Sequence, residues 1–69
     1  MKLSARNVLK GRVVAITPGA VNVEVIIEIA PGVQVVSIIT KSSAEGLGLA
    51  VGKDAYAVVK ASSVMVAVD

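Results

Sequence analysis

The chain has 69 residues, of which 55% are hydrophobic, yet it contains no Phe or Trp and a single Tyr. Seven basic and five acidic residues leave a net charge of +2, too little to imply a nucleic-acid or membrane partner on electrostatic grounds. The absence of cysteine and histidine removes disulfides, thiolate zinc sites and the usual nucleophilic or acid–base groups that work near neutral pH.

The chain opens Met1-Lys2-Leu3-Ser4-Ala5-Arg6 and becomes charged before an apolar signal core could form, so a cytoplasmic location is expected. Val8 to Thr17, rich in β-branched residues, reads as a first strand ended by Pro18-Gly19. Val21 to Ala30 has the clearest alternation in the chain. Val21, Val23, Val25, Ile27 and Ile29 fall on one face, and Asn22, Glu24, Ile26 and Glu28 on the other, which predicts a strand with one face in a core. Pro31-Gly32 separates it from Val33 to Thr40 by two residues, predicting a tight hairpin. Ile29 to Thr40 is the longest uncharged stretch, at twelve residues too short to span a bilayer.

Ser42 with Glu45 three residues later fits a capping box, and Gly46 and Gly48 stop the helix early, so one or two turns are expected over Ser43 to Leu47. After the turn Gly52-Lys53-Asp54, Ala55 to Val59 and Val64 to Val68 read as two further strands, broken at Lys60-Ala61-Ser62-Ser63. Three strands, one short helix and two strands make a single all-β domain over residues 1–69. This is the order of a five-stranded OB-like Greek-key barrel with its helix between strands 3 and 4. A domain this small needs support beyond its own core. With no disulfide available and apolar side chains in surplus, the expected support is association with other copies.

Catalysis finds little to work with. Glu24 and Glu28, four apart on one strand face, would stand about 13 Å apart, too far to cooperate. Glu24, Glu28, Glu45, Asp54 and Asp69 do not cluster as a calcium or magnesium loop would, and no Walker or GxGxxG glycine pattern occurs. Two segments are instead rich in donors. Ser4-Ala5-Arg6-Asn7 precedes the first strand and Lys60-Ala61-Ser62-Ser63 lies between the last two; each sets a cation beside hydroxyl or amide donors. A third, Thr40-Lys41-Ser42-Ser43, leads into the helix, whose free N–H groups favour an anion. An oxyanion taken out of water needs such a shell of charge-assisted bonds, with a forked pair from Arg6 and a point charge from Lys60. Taken by composition alone, the first two segments read more readily as an ordinary strand lead-in and a solvated hairpin than as an anion site.

Ser4-Ala5-Arg6-Asn7 followed by Val8-Leu9-Lys10-Gly11 and a Val-rich strand resembles the start of a molbindin, one of the small proteins also called molybdenum-pterin-binding proteins, built on a TOBE-type molybdate domain. The resemblance continues through Ser37-Ile38-Ile39-Thr40, Leu47-Gly48-Leu49 and Val59-Lys60-Ala61-Ser62, and so spans the chain. It implies an OB-like barrel in a symmetric homo-oligomer, commonly a hexamer built as a trimer of dimers. Molybdate or tungstate would bind between subunits, for intracellular storage and homeostasis rather than catalysis. By position, Ser4, Ala5 (amide), Arg6, Lys60, Ala61 (amide) and Ser62 would come from one subunit and Thr40 and Ser43 from a neighbour, with Asn7 supporting the loop. The family's second type of site, lined by main-chain groups, has no marker in this sequence. No aromatic platform for a pterin exists beyond Tyr56, which favours the bare oxyanion with no organic cofactor.

Two other classes fit an OB-like chain. A nucleic-acid module would stack bases on aromatic side chains in a basic groove, against which stand the lone Tyr56 and the charge of +2. A structural oligomerisation module with vestigial sites would assemble without retaining anion.

Overall fold

A computed structural model describes residues 1–69. Four strands form one antiparallel sheet: β1 (Asn7–Pro18), β2 (Asn22–Ala30), β3 (Val33–Thr40) and β4 (Asp54–Val59), in spatial order β3-β2-β1-β4. Three hairpin-connected strands with the fourth returning beside the first make a Greek key. A six-residue helix, α1 (Lys41–Gly46), joins β3 to β4, and a single 3-10 turn, Ala61–Ser63, follows β4. The hairpin at Pro31-Gly32 closes with Ala30 opposite Val33.

The alternation in β2 sets the core. Val23, Val25 and Ile27 are buried together with Val13 of β1 and Ala57 of β4, while Glu24, Ile26 and Glu28 face the other side. The long β1 serves two partners in succession, pairing with β4 over Asn7–Arg12 and with β2 over Arg12–Pro18, and a bulge between Val13 and Ala15 shifts the register with β2. Such a bulge bends a strand and strengthens its twist, which curls the sheet. Gly11 lies two residues before the bulge, where a Cβ would collide with the Glu28 carbonyl oxygen and lie 2.8 Å from Cγ2 of Ile27, so only glycine lets β1 approach β2 this closely.

The helix differs from its expected form at the start. Its N-cap is Thr40, whose Oγ1 accepts the N–H of Ser43 at 3.1 Å, so Ser42 and Glu45 form no capping box and Glu45 is free of that role. The helix follows β3 without an intervening turn, so the last strand residue supplies the cap. At its end Gly48 (φ +63) donates to the Glu45 carbonyl and Leu49 N–H to the Ala44 carbonyl, a Schellman closure that brings Leu49 and Ala44 together against the core. The Lys53 ammonium adds bonds to the carbonyls of Gly48 (2.9 Å) and Leu47 (3.4 Å). The following loop is pinned to β1 by Val13 N–H to Lys53 O and Gly52 N–H to Val13 O.

The predicted fifth strand is absent from the sheet. Val64 to Val68 lies outside every ladder, with Met65, Val66 and Val68 each at least 90% exposed. A strand exists only where a neighbour pairs with it, and none is in reach within this chain. Consequently β3 and β4 are both free edges. Between them opens a cavity of about 470 Å³, lined chiefly by Val25, Ile27, Ile39, Leu47, Leu49 and Val58. The chain forms 32 backbone–backbone hydrogen bonds; about 45–50 are usual for a folded chain of this length. Its exposed area of 5274 Å² exceeds by roughly 1,200 Å² that of a compact monomer of the same mass.

Candidate anion site

The β1–β4 ladder decides where the two donor segments lie. Its last rung pairs Asn7 with Val59. Arg6 and Lys60 are the next residues beyond that rung on their two strands, and past Lys60 the chain leaves the strand geometry for the 3-10 turn, so Ser4-Ala5 and Ala61-Ser62 depart from the same end of the ladder without a shared register. Segments more than fifty residues apart in sequence thus meet at one end of one strand pair. Lys60 is extended (φ −65, ψ 130), and the 3-10 turn after it is closed by Ser63 N–H to Lys60 O at 2.8 Å. The N–H groups of Ala61 and Ser62 stand ahead of that first bond and receive no acceptor from the turn.

Two cations brought to the same end of a strand pair repel one another. Nothing acidic is placed to relieve them: Glu24 and Glu28 are on β2, Asp54 is at the far end of β4, Glu45 is on α1, and Asp69 ends the exposed tail. The arrangement is a positive, donor-rich corner that gains from a negative occupant. Arg6, Ser4, Lys60, Ala61 and Ser62 are exposed, and Ala5 and Asn7 are half-buried. Asn7 is the first residue of β1, in the ladder opposite Val59.

Thr40 and Ser43 form a separate group. Thr40 pairs with Asn22, at the end of the β2–β3 hairpin near Pro18, whereas Arg6 precedes the opposite end of β1. Thr40 Oγ1 donates to Ser43 Oγ at 2.8 Å while accepting the Ser43 N–H. Both hydroxyl and amide of Ser43 are thereby fixed in direction, and the hydroxyl hydrogen of Ser43 remains available to an outside acceptor. Ser42, absent from the sequence-derived set, joins the cluster with its Oγ 3.4 Å from Thr40 Oγ1; the Thr-Lys-Ser-Ser run was its only signal. No hydrogen bond and no cavity connects this group with the Arg6–Lys60 corner.

No group of three or more carboxylates is gathered to hold a metal cation, and no helix is long and apolar enough to cross a membrane. Tyr56 is on β4 opposite Lys10, four residues from Lys60.

Comparison with known proteins places this geometry in context. Residues 3–66 match the TOBE domain. A probable molybdenum-pterin-binding protein of Haemophilus influenzae is 51% identical over 69 residues, covering 100% of both chains. Among solved structures, MopII from Clostridium pasteurianum superposes with a TM-score of 0.90 at 46% identity, covering 97% of this chain and 100% of that one. A molybdate binding protein from Sporomusa ovata gives 0.90 at 34% identity, covering 97% and 98%. With sequence, fold and length all shared, the chain belongs to the TOBE-domain family, among the molybdenum-pterin-binding proteins or molbindins.

Proposed function

We propose that this protein binds molybdate or tungstate at interfaces between its own copies and serves as a cytoplasmic store of the anion, without transforming it. The observation that carries this reading is the rung Asn7–Val59, which ends the β1–β4 ladder and brings the segments carrying Arg6 and Lys60 to the same end of the sheet, beside the free amides of the 3-10 turn. Ser4, Arg6, Lys60 and Ser62, with the amides of Ala5 and Ala61, offer donors to the oxygens of a tetrahedral dianion. The charges supply attraction, and the fixed main-chain donors supply shape. The relatives' names include a pterin, but the corner has no aromatic side chain of its own, so the bare anion fits it better.

One chain gives this anion an open corner and not an enclosure. Thr40 and Ser43 at the other end of the sheet complete the shell when a neighbouring copy brings them to it. The uncovered tail supports that assembly. Val64, Val66 and Val68 alternate as a strand would, and two free sheet edges with an apolar cavity between them stand ready to receive such a strand from another copy. A hexamer arranged as a trimer of dimers satisfies both needs. Anion binding then stabilises the assembly by mass action.

Equilibrium dialysis against molybdate tests the site. The wild-type protein should retain anion at micromolar concentration. Arg6→Ala and Lys60→Ala should each weaken retention about ten- to a hundredfold, the effect of one lost hydrogen bond to a charged group, with far-UV circular dichroism unchanged. Isotherms indistinguishable from wild type for both variants would refute the assignment.

A further inference from the structure

We infer, on the anion reading proposed above, that the N-terminal arm Met1–Arg6 is a strap that regulates that site from within the same chain. An anion held by Ser4 and Arg6 seats Met1 and Leu3 in the wall of the apolar cavity, and a filled cavity in turn tightens the hold on the anion.

The arm lies outside every strand, and no hydrogen bond ties residues 1–6 to the rest of the chain. Its residues nevertheless divide by alternation. Met1 and Leu3 line the cavity between β3 and β4, and Ala5 is half-buried. Lys2, Ser4 and Arg6 are exposed and do not line it. One side of the arm therefore carries apolar groups, and the other carries the donors and cations. Leu3 and Ser4 are adjacent in the chain, so the two sides cannot move independently: neighbouring Cα atoms are held about 3.8 Å apart.

Seating is incomplete in the single chain. Leu3 keeps 52% of its surface exposed and Met1 78%, although both share the cavity wall with the buried Val25 and Ile27. A segment with partial apolar contacts and no backbone bonds belongs to the low-stability end of a molecule, where small energies move it. Two events favour the seated position. Charge-assisted bonds from Ser4 and Arg6 to an anion fix the donor side. Apolar atoms entering the cavity, such as those of a tail strand, bury Leu3 further. Each event orders the arm that the other also needs ordered, which is positive coupling, and such coupling is reciprocal. Leu3 thus offers no donor to the anion yet sets its affinity, as a positioning residue.

Tyr56 makes the coupling visible. It is the only aromatic side chain in the protein, it lines the same cavity, and it is half-exposed. Acrylamide quenching of its fluorescence in the full chain therefore reports how open that wall is. Saturating molybdate is expected to slow quenching of the wild type about twofold, as the arm settles into the wall that the ring shares. Leu3→Ser keeps every donor. It should bind molybdate about fivefold more weakly in equilibrium dialysis, the low end of coupling between sites, and show no slowing at saturation. Leu3→Met, which keeps a long apolar side chain, should restore both. Far-UV circular dichroism checks the fold, and Leu3→Ala takes the place of Leu3→Ser if the polar change disturbs it. Wild-type protein that retains molybdate with quenching unchanged would overturn the strap, as would wild-type affinity in Leu3→Ser. Slowing that persists in Leu3→Ser would assign the change to the tail instead of the arm and overturn it equally. Wild-type protein that retains no molybdate removes the anion reading itself and the strap with it, so dialysis tells the two failures apart.

Discussion

Val21–Ala30 and Val64–Val68 have nearly the same text, β-branched residues at every second position, and opposite fates. The first becomes β2, flanked by β1 and β3, with Val23, Val25 and Ile27 buried. The second is paired with nothing and lies open to solvent along its length. Alternation therefore specifies a readiness to pair, while the partner is specified by what the rest of the chain can bring alongside. For β2 two hairpins deliver the neighbours; for the tail the single chain delivers none, and the free edges and apolar cavity mark where a second copy would supply one.

The sharpest way to break this contrast is to place the same charge in each segment. Val25→Asp puts a carboxylate at the centre of the core with no partner, where burial of an ionised group costs several kcal/mol. The variant should be unfolded at every protein concentration by circular dichroism. Val66→Asp puts it where the single chain is already exposed. Its effect should appear as lost assembly in native mass spectrometry and as thermal stability that no longer rises with protein concentration. Equal behaviour of the two variants would mean that the tail is packed within its own chain.

Much of the fold was legible because local signals and tertiary neighbours agree. The predicted third strand coincides with β3, and the first, second and fourth lie within one residue of β1, β2 and β4 at each end. The two donor segments of the proposed anion site were legible one by one, but that they leave the sheet from the same end depends on β1 pairing with β4, a long-range fact no local pattern holds. The cap was misread because Thr40, Ser42 and Ser43 are all competent caps within four residues. The choice among them follows from helix phase, since Ala44 and Leu49 must turn toward the core. The fifth strand of the expected barrel failed for a different reason: Val64 to Val68 has a strand-like sequence and no partner in the same molecule, so the sheet stops at four strands.

A smaller effect sharpens the packed side of the comparison. Gly11→Ala adds a methyl where β1 crosses closest to β2, against the Glu28 carbonyl and Ile27. Overpacking of this kind costs about 1–3 kcal/mol. Chemical denaturation should show the loss, and it should persist on dilution because the clash lies within one chain. Gly46→Ala, in α1 with no atom within 4 Å of the added Cβ, is the control; it should be neutral or slightly stabilising, as expected for glycine replaced in a helix.

The smallest effect joins the two sides, at Thr40. Its Oγ1 caps α1 by accepting the Ser43 N–H and directs the Ser43 hydroxyl by donating to it. The first role is internal to the chain; the second, in the proposed assembly, would serve an anion held by a neighbouring copy. Thr40→Ala should therefore lower stability by about 0.5–2 kcal/mol, the usual cost of a lost hydroxyl cap, and weaken molybdate retention at the same time. Thr40→Ser keeps an oxygen able to accept and to donate, and should preserve both. If Thr40→Ala lost stability alone, with dialysis isotherms unchanged, the hydroxyl cluster would belong to the folding of one chain and the anion shell would have to be completed from elsewhere on the partner.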